Sequence, residues 1–223
     1  MTEKTPKRPK HITKTGTAVY PYLDKPDTKF KEEGEYRTKL RLSAEDAAPI
    51  IALVDAEMAV ARKLEKLLAA KKDPKNKGKT IPENTPYKDA VDDNGEETGE
   101  IEFDFKATAS GVSKKNGKPW TRTVDVFDAK KNKIKGAVWG GSKIKVCFSI
   151  GSYFINAKVG YGVKLYLEAV QVIELVQGGQ RNADGYGFGE EEGYEAADET
   201  PADDTPANDG NGDEPTGDDD TDF

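Results

Sequence analysis

From Asn182 to Phe223 the chain carries 16 Asp and Glu and no Lys or Arg, and this segment limits everything else. Built of Gly, Asp, Glu, Pro, Thr and Asn, it buries too little apolar area to offset an ordering cost of about 1–2 kcal/mol per residue. The fold must therefore come from what precedes it. There the balance reverses: all 34 Lys and Arg stand against the remaining 25 Asp and Glu, a net of +9 for residues 1–181. The pI near 5.0 belongs to the tail and not to the domain. Purely solvating tails rarely hold aromatics, yet Tyr186, Phe188, Tyr194 and the last residue, Phe223, lie in this one.

Three regions are expected: a flexible basic arm over 1–15 with Pro6 and Pro9, a globular domain over 16–178, and a disordered acidic tail over 179–223. Thr17–Leu23 is apolar and aromatic, but Pro21 cannot donate to a ladder, which predicts an edge strand or extended segment. A loop is expected from Asp24 to Gly34. Glu35–Leu42 alternates, with Tyr36, Thr38, Leu40 and Leu42 on one side and Arg37, Lys39 and Arg41 on the other, the pattern of a half-buried strand with a cationic outer face.

Ser43 suits a helix N-cap, and Glu45 and Asp46 suit the positive end that follows. Pro49 is tolerated in a first turn. Apolar residues at Ile50, Leu53, Val54, Met58, Ala61, Leu64, Leu67 and Leu68 predict one helix over about 46–70. Lys71–Gly99 then reads as a long connection.

Ile101–Ser110 and Trp120–Asp128 are expected to pair as strands around the basic loop Ser113–Pro119, whose Asn116-Gly117 is a turn signal. Lys143–Ile150 and Gly162–Val176 supply two more strands, the second with a register change near Ala169. Glycine-flanked GSYFINAKVGYG lies between them. The class is mainly β, and the leading candidate is an OB-fold, a five-stranded Greek-key barrel with an inserted helix; composition leaves other small barrels open.

Catalysis finds little support. His11 lies in the arm and Cys147 in a strand that reads as core, so neither a metal cluster nor a Cys/His nucleophile pair can be assembled. Paired carboxylates are conceivable among Asp104, Asp125 and Asp128, in or near strands, but strand-edge solubility is the favoured reading. No enzyme activity, metal or cofactor is expected. The basic N-terminus lacks an apolar signal segment and no run of about 18 apolar residues exists, so a cytoplasmic protein without membrane contact is expected.

Polyanion binding is better supported. Arg37, Lys39, Arg41, Lys106, Lys114, Lys115, Lys118, Arg122, Lys143, Lys145, Lys158 and Lys164 fall on outward strand positions or loops, where cations track phosphates. Trp120, Trp139, Tyr153 and Phe154 are candidates to stack bases. The carboxylates of the tail would compete for such a groove at high effective concentration and, when displaced, recruit partners. Two other classes stay open: an acidic-tailed scaffold for basic partners, and an RNA-binding OB protein.

The segment GGSKIKVCFSIGSYFINAKVGYGVKLYLEAVQVIEL from Gly140 to Leu175, with GTAVYPYLDKPD from Gly16 to Asp27 and the acidic end closing in Asp222-Phe223, resembles the single-stranded DNA-binding proteins of T7-type bacteriophages. The resemblance implies an OB-fold without enzymatic activity that coats single-stranded DNA in replication, recombination and repair in the cytoplasm of an infected bacterium. It implies docking of the acidic tip, Asp222 and Phe223, on the phage DNA polymerase and helicase-primase, and dimerisation through tail exchange. It also implies DNA contacts by Lys145 on a strand and Tyr153 in a loop. Cys147 departs from the pattern where the family can carry another lysine, and Glu33 lies near the place of an arginine.

Overall fold

In the computed structural model the described residues are 8–29, 31–92, 94–113 and 115–176. The expected acidic tail, Asp222, Phe223 and Lys114 lie outside them. Among the described residues eleven strands are formed: β1 (Lys10–Ile12), β2 (Gly16–Asp27), β3 (Glu35–Ser43), β4 (Glu83–Asn84), β5 (Tyr87–Val91), β6 (Glu97–Thr108), β7 (Ser110–Val112), β8 (Pro119–Thr121), β9 (Asp125–Phe127), β10 (Lys143–Asn156) and β11 (Gly160–Glu174). Two helices, α1 (Ala44–Ala61) and α2 (Glu65–Lys72), follow β3.

Five of the strands close on themselves. β2 runs antiparallel to β3 (Thr17 opposite Arg41), and β3 to β6 from Glu35 opposite Thr108 through Ser43 opposite Glu100. β6 lies parallel to β11 (Phe105 opposite Leu165) and β11 antiparallel to β10. Lys143 and Ile144 of β10 then return to Thr17 and Gly16 of β2. This order, with one parallel contact and a helix between its second and third strands, is the OB barrel.

The alternation read from the sequence fills it: Leu40, Leu42, Phe103, Phe105, Ile144, Val146, Phe148, Leu165 and Leu167 are fully buried. Helix α1 packs against β3, β6, β10 and β11 with Ala47, Ile50, Val54, Met58 and Ala61, a stripe at helical spacing. The Ser43 hydroxyl accepts the Asp46 N–H at 3.2 Å as an N-cap.

Several expectations need correction. The helix is not continuous over 46–70. Leu64, with φ −57° and ψ 128°, is extended and separates α1 from α2. Its three-residue spacing to Leu67 preserves the apolar period across the break, so periodicity alone cannot detect it. Pro49 falls inside α1 and not in its first turn, at an exposed position where water can reach the Glu45 carbonyl that it leaves without a donor.

β2 is paired with strands on both sides only at Gly16 and Thr17; beyond them it pairs with β3 alone, so the segment around Pro21 is an edge as expected. Pro21 sits in a register irregularity between Val19 and Tyr22, beside Tyr20 at φ 46°, so its missing N–H falls where the ladder is interrupted. β2 also runs on to Asp27, into the expected loop.

The arm is partly strand: β1 pairs with Cys147–Ser149, and Thr13 is buried, its N–H donating to the Val146 carbonyl and its hydroxyl accepting the Val146 N–H, both at 3.0 Å. Trp120–Asp128 is not one strand. β8 pairs with β7 as a small separate ribbon, whereas β9 leaves to run parallel to β11. The basic hairpin loop itself is as expected, closed by the Ser113 N–H on the Lys118 carbonyl at 2.9 Å.

Finally, the aromatic segment between the last two long strands is mostly strand, since β10 reaches Asn156 and β11 begins at Gly160. Gly160 and Gly162 are required there: a Cβ would lie 2.1 Å from the Pro82 carbonyl oxygen and 2.2 Å from that of Asn84. The register change of β11 falls at Glu168, between Ala169 opposite Cys147 and Leu167 opposite Phe148.

Candidate nucleic-acid interface

The outer face of the β2–β3–β6 sheet is where an OB barrel receives single strands. Pleating places Arg37, Lys39 and Arg41 of β3 outward, opposite Lys106, Asp104 and Glu102 of β6. Three adjoining hollows cover this face. One of about 350 Å³ lies among Tyr20, Tyr22, Arg37, Lys39, Asp104 and Lys106. The largest, about 460 Å³, is bounded by Lys31, Glu35, Pro86, Tyr153, Ile155 and Lys164, with Asp104 and Lys106 shared. A third of about 220 Å³ continues past Lys39 to Pro86, Tyr87, Lys88 and Glu102.

Most of these cations are held by carboxylates. Glu102, only 5% exposed, takes Lys39 at 2.8 Å, Arg41 at 3.2 Å and Lys88 at 3.7 Å. Burial raises the Glu102 pKa, but the hydrogen bonds from Lys39 and Arg41 and the charges of Lys39 and Lys88 outweigh it, leaving the carboxyl below its usual range. Arg37 pairs with Asp27 at 2.7 Å and lies over the Tyr22 ring at 4.9 Å. Its Nε is buried without an acceptor among the described residues. An orphaned donor costs about 1–3 kcal/mol, an expense that a residue placed only for stability would not carry.

Lys106 pairs with Asp104. Lys164 reaches Glu35 at 4.0 Å and the Tyr166 ring at 5.6 Å, and burial pulls its pKa below the ordinary lysine value. Arg8 covers the Tyr166 ring at 4.4 Å. Tyr153 is half-buried on the outward side of β10, and desolvation raises its phenol.

The expected site residues thus fall into groups. Arg37, Lys39, Arg41, Lys106 and Tyr153 share one continuous face. Lys143 sits at its border, donating to the Thr17 hydroxyl at 2.9 Å, next to Arg41. Trp120 lies on β8 of the β7–β8 ribbon, where it packs on Gly111, and Arg122 follows that strand, exposed. That ribbon begins beside the β2–β3 turn, where the Ser110 hydroxyl donates to the Glu33 carbonyl at 2.8 Å. Lys158 is exposed in the β10–β11 turn.

Lys145 lies elsewhere, in a mainly apolar hollow with Ile12, Phe127, Lys131, Cys147 and Ala169. Cys147 is there too, half-buried and not in the core, and burial pushes its thiol up. Phe154 packs against the core, because its position on β10 is one out of phase with Tyr153. Trp139 is exposed. Lys164 and Tyr166 stand out as members of the face. The alternation that turned Val163, Leu165 and Leu167 inward already pointed both outward.

Asp125 pairs with Lys133 at 2.5 Å, and Asp128 accepts the backbone and side-chain N–H groups of Asn132. No group of three or more His, Cys, Asp or Glu that could hold a metal occurs among the described residues.

The sequence family described as the single-stranded DNA-binding protein of bacteriophage T7 matches residues 15–175. The chain belongs to this family. A single-stranded DNA-binding protein of Enterobacteria phage T3 is 34% identical over 201 residues, covering 83% of this chain and 84% of that protein. The crystal structure of gp2.5, a single-stranded DNA-binding protein encoded by bacteriophage T7, matches with a TM-score of 0.59 at 28% identity, over 86% of this chain and 100% of that one. The single-stranded DNA-binding protein of bacteriophage Enc34 in complex with single-stranded DNA shares the fold, with a TM-score of 0.53 at 17% identity over 75% of this chain and 88% of the other. Membership accounts for the OB barrel. Among the described residues no helix is long and apolar enough to cross a membrane.

Proposed function

We propose that this chain binds single-stranded DNA with little sequence preference and coats it during phage DNA replication, recombination and repair in the cytoplasm of the infected bacterium, without catalysing a reaction. The observation that carries this is the run of three adjoining hollows, where Arg37, Lys39, Lys106 and Lys164 alternate with Tyr22 and Tyr153. Cations at this spacing track phosphates, and exposed rings stack bases without regard to sequence. Trp120 and Arg122 extend the track along the β7–β8 ribbon.

One salt titration with single-stranded DNA, duplex DNA and RNA of equal length tests the proposal. Single-stranded DNA binds tightest. Tighter RNA binding would favour recognition of the 2′-hydroxyl, and no binding to any of them at physiological salt would leave the acidic-tailed scaffold.

The acidic segment from 179 onward competes with DNA and, through Asp222 and Phe223, recruits the phage DNA polymerase and helicase-primase; self-association into dimers belongs to the same proposal. It rests on the charge contrast between that segment and the basic remainder of the chain. Deleting residues after Gly179 tightens DNA binding and abolishes polymerase recruitment. Equal DNA affinity with and without the segment would end the competition proposal.

A further inference from the structure

The three hollows have one side chain in common. Asp104 lines each of them. It stands opposite Lys39 in the β3–β6 register, and about a third of its side chain is exposed. A groove floor made only to hold phosphates has no use for a carboxylate there, since like charges brought together across an interface cost affinity. Its ion pair with Lys106, at the next outward position of the same strand, is a third exposed and contributes only modest stability, so it is a weak reason by itself for a carboxylate here. The other carboxylates of this face are held at its margins or beneath it: Glu102 is buried under Lys39 and Arg41, Asp27 is taken by Arg37, and Glu35 by Lys31 at 2.5 Å.

Bases behave differently from phosphates at such a residue. They carry no charge, and their N–H groups can donate to a carboxylate. A single strand that turns its bases inward, onto Tyr22 and Tyr153, keeps its phosphates on the surrounding cations and brings only neutral edges to Asp104. A duplex has its bases paired inside and its phosphates outermost, so it must lay phosphate across that carboxylate. The same is true of a sugar-phosphate strand without bases.

We propose that Asp104 is a specificity-determining residue, which excludes phosphates from the floor of the groove and so selects strands whose bases are free to face inward. This rests on the single-stranded DNA-binding function proposed above and goes beyond it by locating the discrimination in one side chain.

The test uses the full-length protein with Asp104→Asn, Asp104→Glu and Lys106→Met variants, each checked by thermal melting. All are titrated at one salt concentration with an oligothymidylate, an abasic deoxyribose-phosphate strand and a duplex of equal phosphate number. Asp104→Asn raises affinity for the abasic strand and the duplex about tenfold, and for oligothymidylate by about threefold or less. Asp104→Glu restores the original ratio. Lys106→Met, which removes the ion pair and one phosphate contact but keeps the carboxylate, weakens binding of all three probes and preserves their ratio.

Equal gains on all three probes, or none, would overturn the proposal, and so would loss of the ratio in Lys106→Met. If the intact protein fails to bind oligothymidylate, the single-stranded DNA function itself falls, an outcome distinct from an unchanged ratio.

Discussion

Arg37 of β3 and Lys106 of β6 are direct cross-strand partners, two cations side by side on the outer face of the barrel. Like charges directly opposite are unfavourable by about 0.2–1 kcal/mol, and here Asp27 and Asp104 only partly offset the repulsion. Such a pair lowers stability in exchange for positive potential where phosphates arrive. Lys106→Met is therefore expected to leave the melting temperature unchanged or slightly raised while weakening oligonucleotide binding several-fold. A drop in melting temperature with unchanged affinity would mark Lys106 as structural.

Tyr153 and Phe154 are neighbours on β10 that face opposite ways. Tyr153→Ala removes a stacking surface and is expected to weaken single-strand binding by about 1–3 kcal/mol with little loss of stability. Phe154→Ala instead opens a gap against the barrel core, costing roughly 1–3 kcal/mol in a urea titration with affinity per folded molecule preserved. The reverse pattern would place Phe154, and not Tyr153, in the interface.

Glu102 gives the cationic face a pH limit. Its carboxyl lies below the usual range because Lys39, Arg41 and Lys88 together outweigh the burial that would raise it. A group with a depressed folded-state pKa contributes its full stability above its unfolded value, near 4.3, and loses it as pH falls through the folded value. Glu102→Gln is expected to cost about 1–3 kcal/mol at pH 7 and nothing further in strong acid. Equilibrium unfolding at pH 7 and near pH 3 measures both; a constant difference between the two pH values would contradict the assignment.

Much of this was legible in the sequence, for identifiable reasons. Strict alternation in Glu35–Leu42 and Ile101–Ser110 fixed both which residues fill the barrel and which cations face out, since a period of two leaves no other solution. What escaped were features decided by contacts remote in sequence. The arm pairs through Thr13 with Val146, β9 crosses to lie parallel with β11, and Leu64 breaks the helix without disturbing its period.

The site shows the same division. Outward direction could be read for Glu102 and Lys145, but not that three long cationic side chains cover the first or that the second faces Ile12 and Phe127.

Lys164 is a groove cation whose pKa lies below the ordinary lysine value. Burial lowers its pKa in the free protein, whereas an adjacent phosphate favours the charged form and raises it. Binding thus takes up a proton in alkaline solution, and affinity is expected to fall as pH rises through the free-state pKa, which lies below 10.5. Lys164→Met should weaken binding at pH 7 and flatten this alkaline decline. A decline of equal size in the variant would assign it to another group.

The claim on which the rest depends is that one face of the barrel, and not its basic character at large, holds single-stranded DNA. A log–log salt titration of the Arg37→Ala/Lys106→Ala/Lys164→Ala variant against Lys131→Ala/Lys145→Ala, from the separate hollow beside Ile12 and Phe127, tests it most directly. The first variant is expected to lose affinity steeply and to show a salt slope shallower by roughly 0.7 for each phosphate contact removed, while the second keeps the slope of the intact protein. Unchanged binding by the triple variant, with loss in the double, would contradict the account.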